Sequence, residues 1–120
     1  MTVAARARTW APPVVLMAII FILSAQPDLN SGLGVADTIG RKLIHACEYA
    51  LLAYLWWRAL NTTRFRPYAI PLAFALTVAY AATDEYHQTF VHGRHGTPVD
   101  VLIDVTGASL ALLKLGWRTR

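Results

Sequence analysis

Apolar residues in this chain fall into four long runs separated by short polar connections. The first is Trp10 to Ala25 (WAPPVVLMAIIFILSA), and the second reaches from Arg41 to Leu60 (RKLIHACEYALLAYLWWRAL). The third covers Tyr68 to Phe90, and the fourth Pro98 to Trp117 (PVDVLIDVTGASLALLKLGW). The last three each hold about 20 residues, enough at ~1.5 Å per residue to cross a ~30 Å hydrocarbon layer. The connections PDLNSGLGVADTIG, NTTRFRP and HGRHG are short and favour antiparallel neighbours. The pattern predicts an all-α integral membrane bundle of four antiparallel transmembrane helices, over about 10–26, 41–60, 67–90 and 98–117. They make one domain over 1–120, without a soluble domain or repeat. The first run is short and follows Arg6 and Arg8, which is also the shape of a signal peptide. LSAQP offers no clear small-x-small cleavage pattern, so a retained helix is expected, with Pro12 and Pro13 in its first turn.

Composition strengthens the membrane reading. Of 120 residues, 56% are hydrophobic and 15% charged, where soluble domains carry about 25% charged residues. The mean hydropathy is +0.41. So much apolar surface in so short a chain needs lipid as a second solvent. The net charge of +4 would suit nucleic acid, but the basic residues lie between apolar runs and not in one stripe. They read as topological charge, and no nucleic-acid partner is expected. Cys47 stands inside an apolar run as the one cysteine, with the expected role of a buried small hydrophobe.

Charge also orients the bundle. With the N-terminus inside, Arg6, Arg8, Arg58, Arg64, Arg66, Lys114, Arg118 and Arg120 face the cytoplasm, and only Arg41, Lys42 and Arg94 face out. The positive-inside rule therefore gives N-in/C-in. The same assignment puts Asp28, Asp37, Glu48, Asp84, Glu85, Asp100 and Asp104 in the outer half, with His45, His87, His92 and His95. Acidic residues contribute little to topology, so something else gathers them.

Spacing turns this collection into a candidate pocket. Lys42, His45 and Tyr49 share a face of the second helix, Glu48 lies just round it, and Lys42 to Glu48 descends about 9 Å. On the third helix Asp84 and Gln88 share a face, with Thr77 and Ala81 below and Glu85 and His87 flanking. On the fourth, Asp100, Asp104, Gly107 and Ala111 form a stripe whose lower part is small enough for close helix packing. Ser24 and Gln26 stand at the outer end of the first. Charges within a span cost roughly 2.5–3.5 kcal/mol each on insertion scales, so these must face the interior and pair. Arg94 is expected to fold back onto Asp84, Glu85 or Asp100. Plainer roles stand beside these. Thr97-Pro98-Val99-Asp100 matches a helix start in which Asp100 only caps. His87, His92 and His95 read as solvated loop residues at the boundary. Tyr49, Tyr54, Trp56, Trp57, Tyr68 and Trp117 read as core or interface aromatics, and a structural ion-pair network is the alternative for the whole cluster.

At these residues the chain resembles the VanZ-like family of small bacterial membrane proteins. The matching stretches are FILSAQP, KLIHACEYALLAYL and ATDEYHQTFVHGRHGTPVDVLIDVTGASL, spread from Phe21 to Leu110. The resemblance singles out Ser24, Gln26, Lys42, His45, Glu48, Tyr49, Asp84, Glu85, Gln88, Arg94, Asp100 and Gly107. It implies a multi-pass protein of the bacterial cytoplasmic membrane and a link to teicoplanin-type glycopeptide resistance. Asp104 departs from the family pattern, which usually has Asn there.

Three chemistries are compatible with the pocket. In the first it faces the extracytoplasmic side and binds or protects a lipid or lipid-linked cell-envelope molecule. Lys42 and Arg94 then hold an anionic group, with Tyr49, Gln88, Asp100 and Asp104 in the same lining. In the second it is a membrane enzyme on a lipid-linked substrate, with His45 as general base and Glu48, Asp84 and Glu85 as further catalytic candidates. The third is a metal site from His45, Glu48, Asp84 or His87. HACE is only H-x-x-E, so neither a metal nor another cofactor is expected. Transport by so short a chain would require a homo-oligomer.

Overall fold

A computed structural model describes residues 2–24, 35–88 and 98–118. Four helices run in chain order: α1 (Val3–Ser24), α2 (Val35–Leu60), α3 (Ala69–Gln88) and α4 (Pro98–Arg118). A short 3₁₀ turn, Arg66–Tyr68, leads into α3, and no strand is present among the described residues. Two helices begin earlier than their apolar runs. α1 starts seven residues before Trp10 and α2 six before Arg41. Apolarity marks where lipid can be the solvent, whereas helical hydrogen bonding continues into flanking Ala-, Arg- and Thr-containing turns that have good helix formers.

The early start of α1 corrects the placement of its prolines, which lie inside the helix and not in its first turn. Pro12 has no N–H to give to the Arg8 carbonyl. That carbonyl instead accepts a 2.7 Å hydrogen bond from Arg58 Nη2 at the end of α2. A neighbouring helix thus satisfies the acceptor that the proline leaves open.

α2 stops at a cluster of polar side chains. Asn61 Nδ2 donates to the Trp57 carbonyl at 2.9 Å, Thr62 Oγ1 to Ala59 at 2.7 Å and Thr63 Oγ1 to Leu60 at 2.8 Å. Each of these carbonyls also accepts the backbone N–H of the same donor residue, at 3.0–3.1 Å, so the side chains give the last-turn carbonyls a second donor.

The four helices pack up-down-up-down. α2 is the centre, packed most extensively on α4 and then on α3, while α1 lies at the side against α2 and α3. Two apolar layers hold the bundle. One joins Ala53, Leu60, Ala69, Ala73, Ala108 and Leu112; the other joins Ile20, Tyr49, Leu52 and Ala81. Small residues dominate because backbones approach closely. A Cβ built on Gly107 would stand 2.9 Å from the Ala46 carbonyl carbon and 3.0 Å from its Cα, so only glycine allows this α2–α4 crossing.

Antiparallel alternation sends Arg6, Arg8, Arg58, Arg64, Arg66 and Lys114 toward one end. Glu48, Asp84, Glu85 and Asp104 gather toward the other. Among the described residues one helix, α1, has a stretch long and apolar enough by itself to cross a membrane, Val3–Leu23. The other three carry their ionisable residues within the helical span. Cys47 is exposed, contrary to its expected burial, because it lies on a different face of α2 from the buried Tyr49, Leu52 and Ala53.

Candidate functional site

The carboxylates meet α2 at two levels. Tyr49, fully buried, donates its hydroxyl to Asp84 Oδ2 at 2.9 Å, linking α2 to α3. One turn toward the acidic end, His45 Nδ1 stands 3.3 Å from Asp104 Oδ1, linking α2 to α4. His45 and Tyr49 are four residues apart, so the helix brings both side chains to the face that α3 and α4 cover. Their rings are 6.3 Å apart and nearly parallel.

Burial separates the partners. Asp84 is 2% exposed and Asp104 3%, whereas the His45 side chain keeps 24% of its surface open. Asp84, Ala81, Thr77 and Ala73 form one buried face of α3, as the spacing predicts. Thr77 satisfies itself by donating to the Ala73 carbonyl at 2.7 Å. Asp84 is different: Oδ1 is buried and has no hydrogen-bond partner among the described residues. Glu48 lies half-buried within electrostatic range of His45, Asp84 and Asp104. Glu85 and Lys42 are half-buried on the same end of the bundle.

Two aromatic contacts close the side toward α1. The Tyr80 hydroxyl donates to the Met17 carbonyl at 2.5 Å, and the Tyr80 ring lies 6.2 Å from Tyr49. Sequence reading passed over Tyr80, although its place four residues before Asp84 puts both on one side of α3. His87 is helical and half-buried, stacked on Phe21 with ring centroids 4.1 Å apart. It is therefore not a solvated loop residue. His87 lies in the last turn of α3, inside the expected 67–90 span, and Phe21 of α1 covers its ring.

The arrangement is a cluster of acceptors around α2 in which the imidazole of His45 meets one carboxylate. Asp104 fixes the orientation of the His45 ring through Nδ1. Asp84 offers an acceptor in a dry setting, where an unmet hydrogen bond costs most. Among the described residues no three of His, Cys, Asp and Glu converge as metal ligands. Pro98 opens α4, as the helix-start pattern predicts. Gln26, Arg94, His92 and His95 lie outside the described residues, as do the side chains of Ser24, Gln88 and Asp100. The expected return of Arg94 onto the acids falls there too.

Comparison with known proteins gives one result. No curated protein and no solved structure matches the chain. The family model described as VanZ/LLP1 matches residues 8–116, from the first turns of α1 to the end of α4. This span includes His45, Tyr49, Asp84, Asp104 and the Gly107 crossing, and the chain belongs to the VanZ/LLP1 family.

Proposed function

We propose that the bundle spans the bacterial cytoplasmic membrane four times, N-in/C-in, and that its acidic end is a pocket in the outer leaflet. There it binds or protects the polar headgroup of a lipid or lipid-linked cell-envelope molecule. An inside-out distribution supports the multi-pass reading. Leu43, Ile44 and Leu51 on α2, Phe74 and Leu76 on α3, and Leu102, Leu110 and Leu113 on α4 are all exposed. Thr77, Asp84 and Asp104 are buried. Single exposed apolar residues are ordinary, but such faces on every helix around a polar centre suit lipid and not water.

The observation that carries the binding reading is the second oxygen of Asp84, buried and without a donor among the described residues. Native structures rarely leave such a group unmet, and a ligand is one way to complete it. A headgroup rich in hydroxyl, amide or amine donors has the required chemistry. Lys42 and Arg94 supply positive charge for a phosphate on the same molecule. Resistance to teicoplanin-type glycopeptides is the phenotype this reading makes worth scoring.

Lipidomic comparison of cells with and without the protein tests the proposal. A lipid or envelope precursor should accumulate with wild-type chain and not with an equally expressed Asp84→Ala variant. Identical lipid profiles in all three strains would refute it. A second reading, an enzyme acting on the same class of molecule, is favoured by His45 held at Nδ1 by Asp104. It predicts turnover of that lipid, lost in His45→Gln while binding persists.

A further inference from the structure

Away from the acidic pocket, α3 and α4 part to form an apolar groove of about 690 Å³ toward the basic end. Ile70, Pro71 and Phe74 make one wall, and Leu112, Leu113 and Trp117 the other. Gly116 and Ser109 keep the α4 side shallow. Ser109 spends its hydroxyl on the Val105 carbonyl at 2.7 Å, so the groove has almost no polar function of its own. Its volume lies within the roughly 300–1,000 Å³ of small-molecule sites.

The mouth of the groove is charged in one sense. Arg66 is exposed one turn before Ile70, at the end where Arg58, Arg64 and Lys114 also lie. No Asp or Glu occurs between Tyr49 and Thr83 or after Asp104, so that end has no acid from α3, α4 or the turn between α2 and α3. Trp117, 82% exposed, stands at the same mouth, the position of an interfacial aromatic.

We propose that this groove is a site for an anionic phospholipid, with an acyl chain between α3 and α4 and the headgroup phosphate at Arg66. Charge decides against the other obvious occupant. A second copy seated across the same groove by two-fold symmetry brings another Arg66 to the mouth and no acid to meet it. A phospholipid brings an apolar chain for the groove and a negative group for the basic end. The site is separate from the acidic pocket but rests on the membrane-spanning reading.

Native mass spectrometry of the full chain in detergent tests it, with phosphatidylglycerol and phosphatidylethanolamine supplied at equal concentration. Phosphatidylglycerol should be retained in preference. The exposed substitution Arg66→Gln should lower its retention about fivefold, the effect of one basic residue near an anionic lipid. Gly116→Leu, which fills the groove, should remove both lipids. Equal retention of the two lipids, or no change in Arg66→Gln, overturns the site. So does a dimer that Gly116→Leu dissociates. A chain that stays soluble and monomeric without detergent would instead refute the membrane reading beneath it.

Discussion

Gly107→Ala puts one methyl group where α2 and α4 cross. The added Cβ would press on the Ala46 carbonyl group and lie 3.0 Å from its Cα. These are backbone atoms within a helix, so no side chain can rotate away and the two helices must separate. Overpacking of this kind costs about 1–3 kcal/mol, and a backbone obstacle places it at the upper end. Alanine returns about 1 kcal/mol of helix propensity relative to glycine, leaving a net loss of about 2 kcal/mol. Two other glycines serve as controls. A Cβ on Gly40 meets nothing within 4 Å, so Gly40→Ala should gain about 0.5–1 kcal/mol. On Gly116 it meets only Ile70 Cδ1, at 3.2 Å, the movable tip of a side chain, and Gly116→Ala should be near neutral. Reversible unfolding in mixed micelles, followed by helical circular dichroism, gives all three values. The order Gly40→Ala, Gly116→Ala, Gly107→Ala is expected from most to least stable. Equal stabilities for Gly107→Ala and Gly40→Ala would show that α2 and α4 do not cross at Ala46.

Other consequences are equally direct. Tyr49→Phe removes the donor to a buried Asp84 oxygen and should cost about 1–3 kcal/mol in the same unfolding assay; an unchanged midpoint would mean that Asp84 has another donor. Pro12→Ala restores a helical N–H for the Arg8 carbonyl, so Arg58→Ala should destabilise the wild-type background and not the Pro12→Ala background. Equal effects in both would separate Arg58 from the proline. Cys47 is exposed on α2 about 9 Å beyond Arg41. In intact membranes a charged maleimide should not label it until detergent is added, and rapid labelling would place that face in water. Reporter fusions at both termini should read cytoplasmic; opposite locations would remove the even number of spans.

Periodicity and apolar length were enough to read four helices, their approximate centres and the gathering of acids at one end. The small-residue stripe of α4 was legible because Gly107 and Ala111 continue the Asp100–Asp104 line at helical spacing. Pairing was not. His45 and Tyr49 share one face, and spacing alone cannot say that one meets α4 and the other α3, since that depends on how α2 rotates between them. Cys47 was misplaced for the same reason: an apolar run on a membrane helix does not separate the side facing lipid from the side facing protein. Apolarity begins at Trp10, which points to a first-turn place for Pro12 and Pro13, whereas α1 begins at Val3; that Arg58 of another helix meets the Arg8 carbonyl was not legible from spacing.

The two buried carboxylates differ in kind. Asp104 meets His45, a partner that can carry the opposite charge, near a His45 side chain still 24% open. Asp84 meets Tyr49, a neutral donor, with its other oxygen unmet among the described residues. A bundle selected only for stability would gain by replacing such groups with apolar residues of similar volume, as buried polar networks in general suggest. Placing both acids around α2, with one Asp84 oxygen unmet among the described residues, favours the proposed headgroup-binding reading over a purely structural network. The supporting residues point the same way. Tyr80 and Tyr49 wall Asp84 from α1, and the Gly107 crossing brings α4 close enough for Asp104 to reach His45. A tight, small-residue core holds the acids in position, so that the unmet oxygen of Asp84 is a defined acceptor and not a relaxed one.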